Sequence, residues 1–262
     1  MKLHRINALL IRHLYMYRRS LPRIMDIFYW PVMELLVWGF LSAYLTNSNL
    51  GGINIVSVLL GALIFWDILS QSQKSVSVAF LEDVWERNLL NIFVTPLRPS
   101  EFLISTAILG IIRIALVSLV MGLLAFFFYS FNLFQLGFAL LPFFLNLLIF
   151  GWAIGVVIIG IIMRYGTQAQ ILAFGVIFLV QPVSAVFYPV SALPYGLQIV
   201  SRLLPSSYVF EGMRTVIAGG EVLSSNLLMA FLTNTAYVVL SLLFFYGMFA
   251  RAKRRGLLLK LE

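Results

Sequence analysis

Residues 102–128 read FLISTAILGIIRIALVSLVMGLLAFFF, and Arg113 is the single charge in the run. At about 1.5 Å of rise per residue, such a helix exceeds the ~30 Å hydrocarbon core of a bilayer. Five similar stretches surround it, at 27–45, 55–80, 136–163, 171–188 and 227–250. Together they predict an all-α membrane protein with six transmembrane helices, in one domain covering residues 1–262.

The composition agrees. Hydrophobic residues make up 61% of the chain and charged residues 11%, against about 25% charged in soluble domains. There is no cysteine, which excludes disulfides, thiolate metal sites and a cysteine nucleophile. His4 and His13 cannot hold a metal by themselves. The net charge of +8 is not a nucleic-acid signal, because most of the basic residues flank the spans, as membrane topology requires. No signal peptide is expected, since Lys2, Arg5, Arg12, Arg18, Arg19 and Arg23 leave no long apolar core between them. Lipidation is not expected either, as Lys2 stands where myristoylation needs glycine and there is no cysteine to acylate.

Residues 1–22 carry Leu3, Ile6, Leu10, Leu14, Tyr17 and Leu21 at helical spacing, with Lys2, Arg5, Arg12 and Arg19 on another face. This predicts a basic amphipathic helix along the membrane surface, ended by Pro22. Loop charge sets the orientation. The N-terminal segment, Arg87, Arg98, Arg164 and the basic tail from Arg251 to Lys260 fall on one side. Only Arg202 and Arg214 fall on the other. Both termini are therefore expected in the cytoplasm.

Two connections are more than linkers. Residues 81–100, LEDVWERNLLNIFVTPLRPS, predict a charged cytoplasmic helix ending at Thr95-Pro96, with Leu81, Trp85, Asn88/Leu89 and Ile92 on one stripe. Residues 189–220 belong to the outer side yet stay apolar, and Pro189, Pro194 and Pro205 cut them into short helices. Such a segment is expected to dip back into the bilayer, where other helices satisfy its broken backbone.

Motifs for soluble chemistry are missing. There is no GxxxxGK[ST], GxSxG or HExxH. The remaining candidates are charges at membrane depth: Glu34, Asp67, Lys74 and Arg113. They fit either a polar transport path or structural ion pairs and headgroup-level charges. Asp67 and Lys74, two turns apart on one helix, are too distant to pair and are each expected to find a partner on another span. Gly151-Trp-Ala-Ile-Gly155 permits close helix contact, within one subunit or across a dimer seam. Phe126, Phe127, Phe128 and Tyr129 read as an aromatic interface belt, with substrate lining as the other reading.

Taken together these features resemble the permease subunit of type-2 ABC exporters, over nearly the whole chain. An amphipathic helix precedes Asp26-Ile-Phe-Tyr-Trp-Pro31. Trp85-Glu-Arg-Asn88 and Thr95-Pro-Leu-Arg-Pro-Ser-Glu101 resemble that family's coupling-helix region. Phe187-Tyr-Pro-Val-Ser-Ala-Leu-Pro194, Leu204-Pro-Ser-Ser-Tyr208 and Glu211-Gly-Met-Arg214 resemble its outer re-entrant helices. The resemblance implies a multi-pass protein of the bacterial inner membrane, paired with a second permease copy as a homodimer or heterodimer. It implies docking on a dimer of separate ATP-binding subunits. ATP and Mg would sit on that partner and no cofactor on this chain, so the chain itself would not be an enzyme. Glu82, Asp83, Trp85, Glu86 and Arg87 would form the coupling surface, and Pro189, Pro194, Pro205, Glu211 and Arg214 the outer gate. Nucleic acid is not an expected partner; membrane lipid is. The N-terminus lacks the RDxxxRY-like stretch of polysaccharide members, so an amphiphilic or hydrophobic compound is the expected substrate. Polysaccharide or glycolipid export and an ion-driven secondary transporter are the alternatives.

Overall fold

The computed structural model describes residues 1–47, 55–131, 141–217, 219–220 and 224–256. Helix α1 spans Leu3–Arg18 and α2 Leu21–Asn47, with Pro22 in the first turn of α2, where a proline costs no hydrogen bond. Helix α3 spans Ile55–Trp85, α4 Leu89–Val94, α5 Pro99–Tyr129 and α6 Leu141–Tyr165. A 3-10 turn at Gly166–Ala169 leads into α7, Gln170–Val183. Then come α8, Tyr195–Leu203, α9, Pro205–Ile217, and α10, Ser224–Arg254. No strand occurs among the described residues.

Five stretches of the described chain are long and apolar enough to cross a membrane: Leu21–Tyr44, Val56–Trp85, Pro99–Tyr129, Leu141–Val183 and Ser224–Arg254. The fourth takes in most of two of the six stretches expected from the sequence, 136–163 and 171–188. Within it the chain reverses at Gly166, whose φ of +64° suits glycine. Helix α7 alone has 14 residues, about 21 Å of helix, which is short for a span.

The reversal follows from what each helix touches on α3. Near its start α7 meets the far end of α3, where Trp85 Nε1 donates to Gln170 Oε1 at 3.2 Å. Later in the chain Ile177 and Val186 pack in the cluster that holds Ala62 and Phe65, nearer the α3 start. Helix α5 is also antiparallel to α3. Phe102 meets Phe80, whereas Val117, Met121 and Ala125 pack with Leu60, Leu63 and Ile64. Helix α2 runs the same way as α5, with Arg23 on Glu82 and Leu35 among Leu60 and Ile64. Helices α6 and α10 instead run parallel to α3. Ser72 donates to the Leu148 carbonyl, and Asn234 Nδ2 to Asn146 Oδ1 at 2.8 Å, while further along Gly160 lies against Phe244. So α2, α5 and α7 point one way and α3, α6 and α10 the other.

Helix α3 is the hub. Its middle turns are polar but buried: Ser70, Gln71, Ser72, Gln73, Ser75 and Ser77. Gln73 Nε2 donates to the Ala173 carbonyl at 3.0 Å, tying α3 to α7. On the other flank Gly151 and Gly155 of α6 press against the α3 backbone. A β-carbon at Gly151 would stand 2.7 Å from the Leu69 carbonyl oxygen, and one at Gly155 2.8 Å from that of Gln73. The GxxxG thus packs within one chain. Phe126, Phe127 and Phe128 are exposed, in keeping with an interface belt, but the Tyr129 hydroxyl donates to the Leu36 carbonyl at 3.2 Å.

Gly155→Leu should therefore separate α3 from α6 and lower the thermal midpoint in detergent, since overpacking costs about 1–3 kcal/mol. Size-exclusion chromatography of the folded fraction should show an unchanged oligomeric state. A shift to monomer with an unchanged midpoint would place the motif at a subunit seam instead.

Candidate coupling region and transport groove

One end of the bundle collects the basic residues. Helix α1 lies there across the ends of α3 and α5, burying Ile6, Leu9, His13 and Tyr17 and leaving Leu3, Ile11 and Leu14 exposed. The buried stripe is rotated from the predicted one, because polar anchors set how α1 sits. Arg12 Nη2 donates to Asp83 Oδ1 at 2.6 Å. Arg23 bridges Glu82 at 3.2 Å and Glu86 at 2.6 Å. The Tyr17 hydroxyl donates to Glu82 Oε2 at 3.0 Å. Glu101, in the first turn of α5, accepts from the Lys2 backbone N–H at 2.9 Å and lies 3.6 Å from Arg5. Arg5 also donates to the Pro96 carbonyl.

The predicted 81–100 helix is broken. Helix α3 ends at Trp85, Arg87 takes a left-handed φ of +52°, and the short α4 follows. Leu81, Leu89 and Ile92 are buried, but Trp85 is 49% exposed, so they do not share one stripe with it. Of the five candidate coupling residues, Asp83 is fully buried and Glu82 nearly so, both engaged by α1. Trp85, Glu86 and Arg87 are exposed at the joint between α3 and α4.

His13 is fully buried, and neither ring nitrogen has a hydrogen-bond partner among the described residues. Its Nε2 lies 4.0 Å from Asp83 Oδ2, too long for a hydrogen bond. Burial, followed by the positive charges of Arg12, Arg113 and Arg23, lowers its pKa from 6.5 to about 4. The ring is thus neutral where α1 is docked. The sequence marked His13 only as insufficient for a metal; its spacing with Ile6, Leu9 and Tyr17 is the signal that places it inward.

A groove runs from this end between α2 and α7, floored by α3. Its first cavity, about 460 Å³, is lined by Tyr17, Arg23, Lys74, Glu82, Arg113 and Phe174, among others. Its second, about 300 Å³, lies further along and is lined by Glu34, Trp38, Leu63, Phe178, Gln181 and Phe187, among others. Trp38 and Phe187 stack there with centroids 4.9 Å apart. Asp67 is 8% exposed, and its hydrogen bond comes from Gln71 one turn along the same helix, at 3.4 Å, rather than from another span. Lys74 acts electrostatically on both Asp67 and Glu34. Arg113 lies on the opposite flank, its guanidinium carbon 3.9 Å from the Tyr17 ring centroid. Lys74 and Arg113 thus line the first cavity and Glu34 the second, whereas Asp67 lines neither, and none of the four makes an ion pair within 4.0 Å among the described residues.

The far end is closed by the irregular chain after α7. Ala185 has φ +53°, and Arg214 Nη1 donates to the Ala185 and Val186 carbonyls at 2.8 and 3.1 Å. Glu211 accepts from the Val190 N–H at 2.7 Å and pairs with Arg214 at 3.2 Å. These two side chains supply hydrogen bonds that a broken helix cannot give itself. Pro189 and Pro194 directly precede the short helices Val190–Ala192 and α8, and Pro205 opens α9. Val209, Phe210 and Met213 of α9 are fully buried, whereas Leu197, Ile199, Val200 and Leu203 of α8 are exposed.

Two outcomes are expected at the α1 latch. Arg12→Met should destabilise the fold by about 1–3 kcal/mol, because Asp83 is left buried without its partner. Arg12→Met combined with Asp83→Leu should recover part of that loss in chemical denaturation. The second outcome concerns pH. The docked His13 binds a proton less readily than the free side chain. Its contribution is therefore present above about 6.5 and lost as pH falls toward about 4. A His13→Phe variant should show a flatter dependence of thermal midpoint on pH across that window; an identical slope would mean His13 is not the group that titrates.

A search of curated proteins returns no match to this chain. A family model described as ABC-2 type transporter matches residues 6–218. That range takes in the α1 latch apart from Lys2 and Arg5, together with the α3–α4 joint, the groove and the outer helices. The chain is thus a multi-pass membrane protein belonging to the ABC-2 transporter family, as a transmembrane permease subunit.

Proposed function

We propose that this chain is the transmembrane subunit of an ATP-driven exporter, with the α2–α7 groove as one half of its translocation path. A second permease copy, identical or related, closes the groove. ATP and Mg bind on a separate pair of ATP-binding subunits. The observation that carries this reading is the pairing of family membership with the joint at Trp85–Asn88. A chain without a nucleotide motif must receive its energy by contact, and the joint offers an exposed aromatic and charges at the basic end.

Six crossings are supported by the strict alternation of α2, α3, α5, α6, α7 and α10, with the chain after Val183 extending the short α7. Both termini face the cytoplasm of a bacterial inner membrane in this reading, because Arg87, Arg98, Arg164, Arg251, Lys253 and Arg254 belong to the same end as α1. The α8–α9 segment re-enters from the outer side, a reading supported by the apolar surface of α8. The substrate is an amphiphilic or hydrophobic compound drawn along the groove. Export of a polysaccharide or glycolipid is the second reading, favoured by the stacked Trp38 and Phe187 beside Glu34, a surface on which a sugar ring can lie.

Coupling is tested at Trp85. Truncating an aromatic anchor commonly costs about 2 kcal/mol or more, roughly a thirtyfold loss of affinity. Trp85→Ala should reduce pull-down of the ATP-binding subunit and abolish ATP-dependent transport in vesicles, with the chain still inserted. Full association and transport in this variant would move the coupling surface elsewhere. Orientation is tested by single cysteines in this cysteine-free chain. An impermeant thiol reagent outside intact cells should label Ser224→Cys but not Ser20→Cys, Ser100→Cys or Thr167→Cys, and the reverse pattern would invert the topology. The matching outer positions Ser48 and Asn132 lie outside the described residues.

A further inference from the structure

We propose that the cavity at the basic end of the groove seats a phosphate-type anion on Arg113, assisted by Lys74. The inference rests on the groove being the transport path and narrows its substrate to amphiphiles with an anionic phosphate head.

The starting point is an imbalance. Arg5, Arg12 and Arg23 each face a carboxylate of this chain within 4.0 Å. Arg113 is 8% exposed, yet no carboxylate stands within that distance among the described residues, and its Nε has no acceptor. Its contact with the Tyr17 ring face is a partial substitute only. A buried guanidinium without an anion is a costly arrangement, and this one lines an open cavity of about 460 Å³.

The carboxylates nearby do not meet that need. Glu82 is held by Arg23 and the Tyr17 hydroxyl, and Asp26 is an exposed lining residue. Lys74, on the facing helix, lines the same space. It acts on Glu34 and Asp67 from a distance, with no carboxylate within 4.0 Å among the described residues. A planar guanidinium fork and an ammonium lining one cavity match phosphate, which accepts two parallel N–H bonds and a point charge together. Ile27, Val78 and Phe174 give the same cavity an apolar wall, against which a hydrocarbon tail would lie.

The test uses the full chain in dodecyl maltoside, a neutral detergent without phosphate, and follows reductive methylation of its four lysines, Lys2, Lys74, Lys253 and Lys260, by mass spectrometry. Dodecyl phosphate should slow methylation of Lys74 about tenfold and leave Lys253 unchanged. The uncharged tetraethylene glycol dodecyl ether should not. Protection by inorganic phosphate at equal concentration would identify a free anion as the ligand; protection by dodecyl phosphate alone would identify a lipid head. Arg113→Gln should raise the dodecyl phosphate needed by about tenfold, while Arg113→Lys, which keeps the charge, should retain protection. Equal protection by the uncharged ether, no protection of native Lys74, or unchanged protection in a folded Arg113→Gln variant would overturn the anion seat. The native protein's footprint decides the matter even if Arg113→Gln does not fold. No ATP or partner enters the assay. Failure here with retained binding of the ATP-binding subunit refutes the seat alone, and loss of that subunit's binding refutes the exporter reading.

Discussion

The arrangement of the bundle depends on how closely α6 approaches α3. In lipid, helices gain nothing by hiding apolar surface from hydrocarbon, so association rests on close packing and hydrogen bonds. Gly151 and Gly155 let α6 come within contact of the α3 main chain. The buried serines and glutamines of α3 then reach carbonyls on both flanks, Leu148 on α6 and Ala173 on α7. With α3 held on those two sides, α2 and α5 take its remaining faces, and α2 and α7 end up as the two banks of an open groove.

The same hub organises charge. Its last turns present Glu82, Asp83 and Glu86, and the arginines of α1 and the start of α2 close over them. What stays exposed at that end is the joint itself, where Arg87 adopts a left-handed conformation. A non-glycine residue held there carries about 1–3 kcal/mol of backbone strain, so neighbouring contacts must hold it. The joint is thereby a defined corner between two helices rather than a loose linker.

Much of this was legible in residue order. The long apolar runs gave the bundle, and loop charge gave its polar end. The prolines of the outer segment gave its breaks, with short helices following Pro189 and Pro194 and α9 opening at Pro205, whereas the reversal at Gly166 has no such marker in the sequence reading. What was hidden depends on three-dimensional pairing. Glu82 and Asp83 read as partner-facing because a local pattern cannot reveal that Arg12 and Arg23, some 60 to 70 positions earlier, fold back onto them. The Ser70–Ser77 stretch lies inside an otherwise apolar run, where its polar side chains do little to hydropathy yet hold the hub. Asp67 was expected to pair across helices; the structure answers it from Gln71, a neighbour on its own helix.

The α1 latch also has a consequence for how the chain is made. Arg12 and Asp83 are 71 residues apart in sequence, and Lys2 and Glu101 are 99 apart. At a synthesis rate of about 5–20 residues per second, Arg12 waits roughly 4 to 14 s before Asp83 exists. Throughout that interval Arg12 lacks the carboxylate it pairs with in the finished bundle, and an unpaired basic charge is the kind that sets which side of the membrane a segment stays on. In the orientation proposed above, the residues that later lock the finished bundle would first serve, without those partners, to orient the nascent chain.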